Sequence, residues 1–230
     1  MGWVTGLCLS VKVPQIIQVT SDGYCARRLG NAGDATDSAG RLVPDGIILR
    51  DRLASTRLRV QVAQQLGWQR VIVHSDWEAA LAGAAAAERF GALHLPWVLF
   101  RAAAGDIGRQ RCRAEQLRVL GTSVHTVEEA LQAAESALNV SYLLVGTMFA
   151  TPSHPEKAGA ASVEGPALMQ RVSHALRGSG ILLYGIGGIT TDNMDVVLQA
   201  GADGVAGIRH VDALLAAAQH RRRTTRGAEP

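Results

Sequence analysis

The chain has 230 residues, of which 47% are apolar and 19% charged, with a net charge of +3. That is a globular composition with room for one large domain or two small ones, and no apolar run approaches the roughly 20 residues of a membrane span. Aromatic residues are only 4%, and the excess charge sits at the very end, where Arg221, Arg222, Arg223 and Arg226 face only Glu229, so nucleic acid is not the expected partner.

Taken from its start, MGWVTGLCLS has no positive leader and no small-residue cleavage pattern, so no secretory signal is expected. Gly6 stands where a myristoylation motif wants Ser or Thr. Cys8, Cys25 and Cys112 are widely spaced with no C-x-x-C pair, which fits a reducing, cytoplasmic setting without a disulfide framework or zinc knuckle.

The first apolar β-branched run is Ile16–Val19, followed by a glycine-rich surface loop over Gly30–Gly40. Further runs follow at Gly46–Leu49, Val71–Val73, Leu93–Leu95, Thr122–Val124, Tyr142–Val145, Ile181–Tyr184 and Gly204–Ile208. Most are continuous rather than alternating, which predicts strands covered on both faces in a parallel sheet. Between them, Trp77–Phe90, Val127–Leu138 and Asn193–Ala200 read as helices, the last stopped by Gly201. Eight strands alternating with helices predict an α/β fold, a single-domain (β/α)8 TIM barrel, with an open doubly wound sheet as the alternative. The barrel is placed over residues 15–218, with an extension over 1–14 and a disordered basic tail over 219–230.

Barrel chemistry sits on the loops that follow the strands. Thr126 and Glu129 form a T-x-x-E capping box, so a helix begins directly after His125 and puts that histidine at the mouth of the fifth strand. The second strand runs into Arg50 and Arg52, cations suited to an anionic substrate. The sixth opens into GTMFATPSHPEKAG, long enough to act as a lid. The seventh and eighth end in glycines, at GIGGI and ADGVAGIR, where barrels often bind phosphate through backbone N–H groups.

Read in order, LRDR, LHL, GTSVHTVEEA, YLLVGTMFATPSHP, GIGGIT and GADGVAGI resemble the thiamine phosphate synthase/TenI family. The resemblance implies a barrel that binds a thiazole phosphate and performs one of two reactions. One is a Mg²⁺-dependent synthase coupling a pyrimidine pyrophosphate to thiazole phosphate. The other is a tautomerase aromatising a carboxythiazole ethyl phosphate. Synthases of the family carry Asn-Asp after the third strand and a further Asp after the fourth. Here those positions read His74-Ser75-Asp76 and His94-Leu95-Pro96-Trp97, with no further carboxylate until Asp106, and Ser153-His154 stands where the synthase lid has a lysine. Lys157 is the nearest substitute.

The resemblance therefore points to the tautomerase branch, an isomerase without metal or cofactor. It assigns His125 as the catalytic proton-transfer residue in Ser123-Val124-His125. Arg50, Arg52, Ser123, Thr151 and Ser153 become substrate contacts, and Gly187, Gly188, Gly207, Ile208 and Arg209 the phosphate cradle. His74 and His94 are expected near the pocket in core or supporting roles, and His154, His174, His210 and His220 on the surface. The synthase remains the first alternative and a non-catalytic thiazole phosphate binder the second. Whether the chain forms a homo-oligomer stays open.

Overall fold

The structure is a computed structural model that describes residues 15–30, 43–86, 90–105, 115–150 and 165–226. Eight strands pair in parallel and in sequence order, and the last pairs with the first to close a barrel. They are β1 (Gln15–Val19), β2 (Gly46–Leu49), β3 (Val71–His74), β4 (Ala92–Leu95), β5 (Val119–Val124), β6 (Tyr142–Gly146), β7 (Leu182–Ile186) and β8 (Gly204–Gly207). The helices between and after them are α1 (Tyr24–Gly30), α2 (Thr56–Leu66), α3 (Trp77–Ala85), α4 (Trp97–Gly105), α5 (Val127–Ala134), α6 (Gly165–Ala175), α7 (Met194–Gln199) and α8 (Val211–Arg226).

The register sorts each strand into two faces. Partners such as Val19 and Ile48, Ile48 and Ile72, His74 and His94, His94 and Gly121, Gly121 and Tyr142, or Tyr184 and Gly204 share one face and fill the lumen. The alternate set, including Ile16, Leu49, Val73, Leu93, Val124, Leu143, Val145 and Val205, is buried against the helices. Burying each large aliphatic side chain there contributes about 1.5–3 kcal/mol, which explains why the strands read as unbroken apolar runs. Large and small residues complement one another inside: a Cβ on Gly121 would lie 2.1 Å from the Tyr142 ring, so only glycine leaves room for that ring.

Opposite the mouth, carboxylates tie strand starts together. Asp45 accepts from the Ile16 N–H at 2.8 Å and Asp203 from the Leu183 N–H at 2.8 Å. Helix α3 ends at Ala85, short of the expected Phe90: Ala86 is extended, and the Phe90 N–H bonds back to the Gly83 carbonyl. Helix α5 ends at Ala134, where Glu135 and the Ser136 hydroxyl bond back to the last carbonyls. Helix α8 continues to Arg226, through most of the stretch whose composition suggests an unfolded tail, and Arg221 on it pairs with Asp195. Residues 31–40 of the glycine-rich stretch and the lid from 151 onward lie outside the described residues, and with them Thr151, Ser153, His154, Lys157 and Asp106.

Candidate active site

His125 follows β5 directly and is held from two sides. Its backbone N–H donates to Glu129 Oε2 at 2.6 Å, while the Thr126 hydroxyl accepts from the Glu129 N–H at 3.1 Å. The box expected from the sequence is thus formed one residue wider, with its carboxylate clamping the histidine itself. The imidazole Nδ1 bonds to the Gly146 carbonyl at the end of β6. A carbonyl only accepts, so Nδ1 carries a proton, and the lone pair of the neutral ring lies on Nε2. Nε2 has no hydrogen-bond partner among the described residues. The ring therefore stands at the mouth in the tautomer of a base.

The end of β2 divides its two arginines. Thr20, just after β1, exchanges hydrogen bonds with both backbone groups of Arg50 at 2.9 Å, which leaves the half-buried guanidinium at the mouth, close enough to His74 to act on its charge. Arg52 is turned away: its side chain is 69% exposed and pairs with Asp22 through Nε and Nη2. That pairing holds the Asp22 carboxyl down at about 2. Between them lies Asp51, only 3% exposed, whose carboxylate accepts from the N–H groups of Gly23, Cys25 and Leu53. Asp51 is a structural tie between the first two strand ends. Burial, with Asp51 beside it, pushes the Cys25 thiol up to about 11, so Cys25 is a small core residue rather than a nucleophile.

The ends of β3 and β4 show what became of the carboxylates a hard cation would need. Asp76 caps α3 by accepting from the Ala79 N–H at 3.0 Å, and its other oxygen takes the Thr56 hydroxyl and Arg59 Nη1, each at 2.8 Å. Both oxygens are engaged by the fold. After β4, Trp97 stacks on Phe100 with ring centroids 5.7 Å apart, so apolar bulk follows that strand. Among the described residues, no group of three or more His, Cys, Asp or Glu gathers as a metal site. At these two strand ends the described residues offer no free carboxylate oxygens, which Mg²⁺ needs in octahedral arrangement.

The strand ends of β7 and β8 lie side by side, since Ile186 pairs with Ala206. Gly187 and Gly188 have φ of 100° and 63°, and a Cβ on either would come within 2.7 Å of the chain leaving β6. Glycine is required here for close approach as well as for backbone conformation. The Phe149 N–H donates to the Gly187 carbonyl and the Asn193 amide to the Gly188 carbonyl, which turns the carbonyls into the protein. The N–H groups of Gly187, Gly188, Ile208 and Arg209 have no protein acceptor among the described residues. Gly207 ends β8 beside them, Arg209 is exposed, and α8 begins at Val211. Unpaired N–H groups next to a helix N-terminus form a site for an anion.

His74 and His94 lie in the core near the mouth, as expected, but the network they form with Tyr142 and Ser123 was not foreseen from the sequence. His94, 2% exposed, bonds through Nδ1 to the Tyr142 hydroxyl and through Nε2 to Ser123 Oγ, both at 2.9 Å. His74 stacks on His94 at 5.6 Å, and its Nδ1 meets Ser75 Oγ at 2.9 Å. Tyr142 meets Tyr184 edge-on, and Tyr184 bonds Gln15. Burial holds the His74 imidazole down at about 4, with Arg50 and Arg59 adding to the effect, and holds His94 well below the usual histidine range. Both rings are neutral near pH 7. His174, His210 and His220 are exposed, as expected.

The profile of the family described as thiamine monophosphate synthase matches residues 19–211. The thiamine-phosphate synthase of Chloroflexus aurantiacus is 33% identical over 164 residues, covering 68% of this chain and 67% of that protein. The thiamine-phosphate synthase of Geobacillus kaustophilus is 42% identical over 89 residues, a match spanning 39% of this chain and 37% of that protein. The solved thiamine phosphate pyrophosphorylase from Pyrococcus furiosus, 22% identical, superposes with a TM-score of 0.62 over 94% of this chain and 97% of its own, a likeness of fold. With the profile matching the barrel from β1 to the start of α8, the chain belongs to the thiamine monophosphate synthase family.

Proposed function

We propose that this chain is an enzyme of thiamine biosynthesis that binds a carboxythiazole ethyl phosphate at the barrel mouth and aromatises it as a thiazole tautomerase. The observation that carries the reading is the Nδ1–H···O=C bond from His125 to Gly146, which supports a free Nε2 base at the mouth. Nε2 takes the proton from the ring carbon that bears the carboxylate. The C–H electrons enter the ring, the exocyclic double bond shifts, and the exocyclic carbon accepts a proton from the imidazolium. The net change is one proton moved and an aromatic ring formed. A positioned base of this kind contributes about 10²–10⁴-fold. The Arg50 guanidinium faces the carboxylate, and the N–H groups of Gly187, Gly188, Ile208 and Arg209 receive the phosphate, with Gly207 allowing close approach.

A second reading is favoured by the names of the relatives, which are synthases. His125 suits both reactions. The two separate at β3 and β4, where Asp76 is engaged by α3, Thr56 and Arg59. One experiment decides between them. The protein is incubated in EDTA with the carboxythiazole precursor while the absorbance of the aromatic product is followed, and in parallel with Mg²⁺, pyrimidine pyrophosphate and thiazole phosphate. Aromatisation in EDTA supports the tautomerase. Thiamine phosphate formation without aromatisation replaces it with the synthase, and neither product leaves a binding protein.

A further inference from the structure

We infer that Tyr142 and His94 form a buried hydrogen-bond relay that fixes Ser123 as a donor into the mouth, where its hydroxyl recognises an acceptor atom on the substrate's heterocycle. The inference rests on the proposed thiazole phosphate chemistry for the identity of that acceptor, but its geometry stands alone.

The direction of the relay follows from counting hydrogens. Tyr142 and His94 are both buried, and between the Tyr142 oxygen and Ser123 Oγ lie two hydrogen bonds, one on each imidazole nitrogen. A neutral imidazole carries one N–H and one lone pair. If Nδ1 carried the hydrogen, Tyr142 would accept it, and the phenol's own O–H would need another acceptor. No other partner of that hydroxyl exists among the described residues. A buried unmade O–H bond is costly, so this arrangement loses. In the other, Tyr142 O–H donates to Nδ1, Nε2–H donates to Ser123 Oγ, and every buried hydrogen is used. Burial keeps the phenol protonated and the imidazole neutral, which preserves this count near pH 7.

The consequence falls on Ser123. Its oxygen accepts from His94, so its own O–H is released toward the mouth, on the same strand face as His125 two residues on. Ser123 is half-buried, while its partners are sealed beneath it. Had the relay run the other way, Ser123 would present lone pairs and repel a ring nitrogen or carboxylate oxygen. Tyr142 and His94 are positioning residues that act through Ser123.

Two measurements test this. Imidazole ¹⁵N spectra of the folded protein are expected to show His94 with a pyrrole-type N–H at Nε2 and a bare nitrogen at Nδ1. The opposite tautomer overturns the relay whatever the reaction turns out to be. Affinity for the aromatic carboxythiazole ethyl phosphate is then compared with affinity for inorganic phosphate. Ser123→Ala and Tyr142→Phe should each weaken the thiazole phosphate about tenfold, the loss of one hydrogen bond to a polar acceptor, and leave inorganic phosphate unchanged. Because the two act as one unit, the double variant should lose little more than either alone. Tyr142→Phe keeps the ring that packs on Gly121, so the variant folds. Unchanged thiazole affinity in either variant, or additive losses, overturns the recognition role. A failed aromatisation assay with the expected tautomer and affinities overturns the reaction but not the relay.

Discussion

Replacing Asp76 with alanine tests whether that carboxylate belongs to the fold or to a metal. The change removes the N-cap of α3 and the partners of the Thr56 hydroxyl and Arg59 Nη1. Loss of such a cap costs about 1 kcal/mol. Arg59 and Asp76 have side chains only 15% and 11% exposed, so the guanidinium is left without its counter-ion in a poorly solvated place. Breaking a buried pair in this way costs about 3–5 kcal/mol, and the remaining bond from Arg59 Nη2 to the Asp51 carbonyl puts this case at the low end. The total is about 4 kcal/mol, or a fall in Tm of roughly 8–16 °C for a domain of this size. Asp76→Asn keeps a capping oxygen and is expected to lose about half as much. Urea unfolding of both variants gives the numbers, and turnover measured well below their Tm with EDTA present should match the parent protein. A stability loss under 1 kcal/mol, or activity that vanishes in a well-folded Asp76→Asn protein and depends on Mg²⁺, would refute the structural assignment.

Gly121→Ala puts a methyl group against the Tyr142 ring at 2.1 Å and is expected to destabilise by at least 1–3 kcal/mol in thermal or urea unfolding, whereas unchanged stability would mean the lumen is looser than described. Stability should also fall as pH drops from about 6.5 toward 4. The native His74, held at about 4, and His94, held well below the usual histidine range by burial, refuse protons that the unfolded chain accepts, so unfolding gains protons in that window. Urea midpoints at pH 8 and pH 5 check the sign, and His74→Phe should flatten the slope. Arg50→Ala should weaken the carboxythiazole ethyl phosphate roughly 10–100-fold while leaving inorganic phosphate unchanged, as loss of a charge-assisted contact to the carboxylate requires.

The barrel was legible because strands covered on both faces must be apolar throughout, and all eight runs fall on strands to within three residues at either end. The position of His125 was legible from a local rule, since a capping box fixes where a helix starts. The lumen was not, because it depends on register. Only the pairing of His94 with Gly121 and of Gly121 with Tyr142 brings the imidazole and phenol together across 48 residues of sequence. A period-two count back from His125 through Ser123 to Gly121 names the inward face of β5, and a glycine there signals a large neighbour, but not which one. Arg52 was misplaced for a similar reason: Asp22, 30 residues earlier, takes its guanidinium, and nothing local in LRDR separates it from Arg50. Asp51 drew no notice between two arginines, although its three backbone bonds organise both strand ends.

The role of His125 is tested most directly by aromatisation of the carboxythiazole ethyl phosphate by His125→Ala, with binding of inorganic phosphate measured on the same preparation. The variant is expected to aromatise at a rate lowered by about 10²–10⁴ with phosphate affinity retained. A variant that aromatises at the parent rate would contradict this role and remove His125 from the chemistry.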